Sequence, residues 1–148
     1  RFLARQTMFK DSCMTAAESD RSQNPLRIGI VGPCTAGKST LITRLAPLGI
    51  QARHIAQEHS YVPYMWQRLT NPDVLIFLDV SYPVSLQRRR INWNLDEYLE
   101  QQRRLAHARA HNDFYLLTDP FSPDDVAALV LEYLASLGGQ APRRAPSA

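Results

Sequence analysis

Cysteine is scarce in this chain, with Cys13 and Cys34 alone. Two thiols are too few for a disulfide framework or a zinc site, so neither is expected. A reducing, cytoplasmic setting is the simplest inference. Lysine is equally rare: Lys10 and Lys38 stand among 17 basic side chains, the rest being arginine. That bias fits the codon usage of a GC-rich genome, and it leaves Lys38 as the sole lysine between residues 27 and 137. No apolar run approaches the roughly 20 residues of a membrane span. The first residues lack a continuous apolar stretch before a small-residue site, so no secretory leader is expected. No internal repeat is visible.

The formal charge of +3 is carried by the ends. Residues 27–137 hold 11 basic and 11 acidic side chains, so the body is neutral. A basic isoelectric point therefore says little about a nucleic-acid partner here.

A length of 148 residues suits one domain. Residues 1–26 show no sustained period and read as a mobile tail, and residues 138–148 read as a disordered end. Between them, in 27–137, strand and helix patterns alternate. Strands are expected at 27–32, 52–57, 74–78 and 114–117. Helices are expected at 38–46, 62–70, 83–90, 95–110 and 123–137, the last with a capping box at Ser122 and Asp125 and Pro123 in its first turn. The fold class this implies is α/β, a three-layer α/β/α sandwich on a mainly parallel sheet of four to five strands. Ligands of such sheets lie beyond the carboxyl ends of the strands.

At the end of the first strand the residues Gly32-Pro33-Cys34-Thr35-Ala36-Gly37-Lys38-Ser39 match G-x-x-x-x-G-K-[ST]. An apolar strand precedes the match and a helix pattern follows it, as a phosphate cradle requires. Backbone N–H groups and the helix N-terminus would face phosphate oxygens. Lys38 would reach the outer phosphates, Ser39 would hold Mg²⁺, and Thr40 follows in the first helical turn. Cys34 reads as a small residue filling a loop position. Two carboxylates sit at strand ends, Glu58 and Asp79, and either could hold the metal or take an acceptor proton. Arg88 and Arg89 are the candidates for contact with a moving phosphoryl group. Most other arginines of 88–111 read as a solvated helix face. His107 and His111, four apart, lack the surroundings of a zinc pair.

Three segments carry a resemblance. They are Arg27 to Leu45, then 72–81 with Leu86-Gln87-Arg88-Arg89, and Phe114 to Leu134 with Thr118-Asp119. Together they resemble the P-loop kinases of small molecules, the nucleoside monophosphate, shikimate and gluconate kinase group. The resemblance implies the P-loop NTPase fold, ATP and Mg²⁺ as cofactors, an arginine of 88–89 on the ATP phosphates, and Asp119 in the adenine-side loop. The sequence departs from that group where an acceptor-binding insert and an Asp-Arg signature are usual. Gln57-Glu58-His59-Ser60 stands there instead, and no Asn-Lys-x-Asp stretch is present to select guanine.

The expected function is binding of a nucleoside triphosphate and transfer of its γ-phosphoryl group to a small-molecule acceptor. Lys38, Glu58, Arg88 and Arg89 would be catalytic; Ser39 with Glu58 or Asp79 would hold the metal. Two other readings stay open: a nucleotide-binding regulatory or interaction module with little catalysis, and a polynucleotide 5′-kinase. No membrane partner is expected.

Overall fold

The computed structural model of the chain describes residues 25–88 and 92–142. The expected tails fall mostly outside those residues, and so does Arg89. Four strands form one parallel sheet: β1 (Ile28–Val31), β2 (Ala52–His54), β3 (Val74–Asp79) and β4 (Phe114–Leu117). Their order is β2-β1-β3-β4. Ile28 pairs with Ala52 on one side and Val74 on the other, and Ile76 pairs with Phe114. Six α-helices lie among the described residues: α1 (Lys38–Leu45), α2 (Met65–Leu69), α3 (Tyr82–Arg88), α4 (Leu95–Arg104), α5 (Ala106–His111) and α6 (Pro123–Ser136).

β1 and β3 are buried along their whole length. Alternation of side chains then sends every second residue to each face. Ile28, Ile30, Val74, Ile76 and Leu78 join Leu41 and Leu45 of α1 and Val126 and Val130 of α6 in one cluster. Val31, Leu75 and Phe77 join Trp66 of α2, Leu105 and Ala108 in a second. Helices thus pack on both faces, an α/β arrangement compatible with three layers.

Three elements differ from expectation. β2 stops at His54, because Gln57–His59 closes into a 3₁₀ turn. The single helix expected over 95–110 is two, α4 and α5, joined at the fully buried Leu105, whose ψ of −4° departs from the helical value. The helix expected over 62–70 is confined to Met65–Leu69. The capping box of α6 forms as expected, with Ser122 accepting from the Asp125 amide and Asp125 accepting from the Ser122 amide.

With every strand pointing the same way, all carboxyl ends lie on one edge. The loop after β1, the turn after β2 and the segment after β4 meet there.

Candidate functional site

The connection from β1 to α1 is shaped by three residues with positive φ: Gly32 (153°), Thr35 (70°) and Gly37 (97°). Gly32 has a second reason to be glycine. A Cβ there would stand 1.9 Å from the Leu78 carbonyl oxygen of β3. Gly37 opens α1 without a side-chain cap, which leaves the first helical N–H groups to other partners. The Ala36 amide closes the loop internally on the Pro33 carbonyl.

Lys38 is 6% exposed and folds back over the loop. Its Nζ donates to the carbonyls of Gly32 at 2.5 Å and Pro33 at 2.9 Å, and lies 3.3 Å from Glu58 Oε1. Glu58 is 1% exposed. Its placement comes from its neighbour. The buried Gln57 carboxamide accepts from the Trp66 amide and donates to the carbonyls of Val62 and Arg104, pinning the 57–59 turn between α2 and α4. His54 and His59 each bring Nε2 to 3.6 Å from Glu58 Oε1. Glu58 Oε2 has no hydrogen-bond partner among the described residues.

Arg88, the last residue of α3, crosses to the loop. It donates to the Thr35 carbonyl, to Thr118 Oγ1 at 2.8 Å and to the Thr118 carbonyl at 2.7 Å. Thr118 in turn donates to the carbonyls of Ala36 and Asp79. Around these residues is a cleft of about 630 Å³ lined by residues 34–41, His54, Glu58, His59, Arg88, Thr118, Phe121, Pro123 and Val126. Of the expected site residues, Cys34, Thr35, Ala36, Gly37, Lys38, Ser39, Thr40, Glu58 and Arg88 therefore line one cleft. Gly32 and Pro33 do not line it; their carbonyls hold the Lys38 ammonium, which does.

Asp79 and Asp119 do not line that cleft. Asp79 accepts from its neighbour Val80's amide, from Arg109 at 2.9 Å and from the Tyr115 hydroxyl at 2.6 Å. Burial pushes its carboxyl up, but the hydrogen bonds from Tyr115 and Arg109 and the Arg109 charge outweigh that and hold it below its ordinary value. Burial raises the Tyr115 phenol, and the contact with Asp79 raises it further. Asp119 accepts from the Ser81 amide and so tethers the start of α3.

Thr118 and His59 are strand-end positions that the sequence marks as places to look, and both line the cleft. Sequence reasoning missed Leu41, His54, Phe121, Pro123 and Val126 as cleft residues. They lie on α1, β2, α6 and the loop before α6, and no motif marks them.

No family model matches the chain, and neither the curated proteins nor the solved structures contain a detectable relative.

Proposed function

We propose that the 32–39 loop binds the phosphates of a nucleoside triphosphate, ATP in the first instance, and that the chain is a kinase-like phosphotransferase for a small acceptor. One observation carries this reading. The glycine-bearing loop, a buried lysine folded over it, a buried carboxylate and an arginine from a separate helix all converge on one cleft at the carboxyl edge of a parallel sheet.

The roles follow from charge and position. The loop amides and the α1 N-terminus supply partial positive charge. Lys38 would exchange its carbonyl partners for outer phosphate oxygens. Arg88 already spans from α3 to the loop and would stabilise charge on the transferring group. The hydroxyl of Ser39, exposed in the first turn of α1, and the orphaned Oε2 of Glu58 suit a hard divalent cation. Mg²⁺ bound by them would neutralise phosphate charge. Glu58 is favoured over Asp79 for that role, because both Asp79 oxygens are committed elsewhere.

The test is thermal unfolding with and without ATP·Mg²⁺. A ligand at about 100 times its dissociation constant stabilises by about 2.7 kcal/mol, which raises the Tm of a chain this size by roughly 5–10 °C. Lys38→Ala removes that gain. No gain at millimolar ATP refutes nucleotide binding. ADP release with a panel of nucleosides, sugars and acids then tests transfer, and release independent of any acceptor refutes the kinase half.

A further inference from the structure

We propose that Cys34, Glu58 and His59 form a binding site for a borderline-soft divalent cation of the Zn²⁺ class. Cys34 comes from the loop after β1, and Glu58 and His59 from the turn after β2. Their ligand atoms all lie within 4.8 Å of one another. Cys34 Sγ is 3.8 Å from His59 Nε2, and His59 Nε2 is 3.6 Å from Glu58 Oε1. Tetrahedral Zn²⁺ with ordinary bond lengths has edges of about 3.6 Å between S and N and about 3.4 Å between N and O. The two edges that His59 makes are thus within a few tenths of an ångström of a ligating geometry, and the exposed His59 ring can take up that difference. The remaining edge, from Cys34 Sγ to the Glu58 carboxylate, lies within 4.8 Å and closes by a small shift of the loop that carries Cys34.

Two further observations point to a ligand. Glu58 Oε2 is buried and unpartnered, a costly condition for a carboxylate oxygen unless something meets it. Cys34 is held from outside: Gln101 of α4 donates its amide to Sγ at 3.2 Å while its Oε1 accepts from the Cys34 backbone amide at 2.9 Å. That two-point hold fixes the position of the sulfur, as outer partners do for metal ligands. Thiolate, imidazole and carboxylate together suit Zn²⁺ rather than Mg²⁺. Access comes from a second cleft of about 610 Å³, which shares Cys34 and His59 with the first and runs along α4.

The site uses the carboxylate that the nucleotide reading assigns to Mg²⁺. Occupation by Zn²⁺ and by ATP·Mg²⁺ would therefore exclude one another; that exclusion rests on the nucleotide reading, whereas the metal site does not.

Cobalt(II) titration of the full chain, without nucleotide, tests the site. The expected result is one equivalent bound at micromolar metal, with a thiolate-to-cobalt charge-transfer band that Zn²⁺ abolishes. Cys34→Ser removes the band, Cys13→Ser keeps it, and His59→Ala weakens Zn²⁺ binding at least tenfold with the far-ultraviolet circular dichroism unchanged. A band that survives Cys34→Ser, or Zn²⁺ affinity that is the same in His59→Ala, overturns the site. For the exclusion, one equivalent of Zn²⁺ should shrink the ATP·Mg²⁺ gain in Tm in the wild type and not in His59→Ala, each protein compared with its own zinc-free gain. An equal effect in both is chelation by the nucleotide and overturns the exclusion. A wild type that shows no ATP gain even with EDTA-treated protein removes the nucleotide reading instead, and the cobalt spectrum still decides the metal site.

Discussion

Single residues set the shape of the loop, and two of them can be tested directly. Gly32 is hemmed in by the Leu78 carbonyl and holds a φ that side chains avoid. Gly32→Ala should cost at least about 2 kcal/mol, from backbone strain and a forced displacement of β3, measured as a lower denaturation midpoint in urea. Arg88 contributes differently. Its head group is spread over two backbone carbonyls and a hydroxyl at the cleft. If it stabilises the moving phosphoryl group, Arg88→Ala should lower turnover by about 10²–10³-fold, with ATP affinity changed far less. Equal losses in turnover and in affinity would reduce it to a binding residue. The positions of Gly32, Lys38 and Ser39 were legible in the sequence because their spacing is itself the signal. The choice between Glu58 and Asp79 was not, since both stand at strand ends. Their difference lies in what β4 and α5 bring to Asp79, namely Tyr115 and Arg109, far away in sequence.

At the scale of elements, that Asp79 cluster fastens the end of β3 to β4 and α5. The Arg109 guanidinium also lies over the Phe77 and Tyr115 rings, with its centre 4.7 and 5.7 Å from theirs, which adds a cation–π contribution. Hydrogen bonds to a charged group of this kind are worth about 1.5–3 kcal/mol, so Asp79→Asn should lose stability of that order at pH 7. The folded carboxyl lies below its ordinary 3.8. Its contribution is therefore complete above that value and fades as pH falls through the folded value. Denaturant melts at pH 7, 5 and 3 should show wild type and variant separated equally at the first two and converging at the third. Strand and helix identity were read well from periodicity where the pattern was long, as in β3 and α6. The break between α4 and α5 was not, because Leu105 keeps the helical hydrophobic spacing while its backbone leaves the helix. The early end of β2 was hidden for a similar reason. Gln57 looks like a polar strand residue until three backbone partners, on α2, on α4 and in the segment just before α2, claim its side chain.

At the scale of the whole molecule, the neutral body predicts little attraction to polyanions. Binding of single-stranded DNA at low salt should be weak and should not show the steep salt dependence that several phosphate contacts produce; a steep slope would bring back the polynucleotide reading. The sheet order explains why the parts of the cleft converge. β1 sits between β2 and β3, and β4 follows, so three successive crossovers deliver residues 34, 58, 88 and 118 to one edge. A sequence pattern gives strands and helices but not their order, so the meeting of Cys34 with His59 was invisible to it. Counting thiols alone passes over a cluster of mixed side chains, Cys34, Glu58 and His59, that two turns bring together.

The Cys34–Gln101 and Ala36–Thr118 hydrogen bonds span 67 and 82 residues. The loop near the front of the chain is therefore finished by its back half. During vectorial synthesis β1 and α1 emerge first, yet the loop between them acquires its final hydrogen bonds only after residue 118 has left the ribosome. Local pairing comes before such long-range closure in folding. A nascent chain released before that point would carry the motif in full and lack the fixed backbone that gives the motif its chemistry.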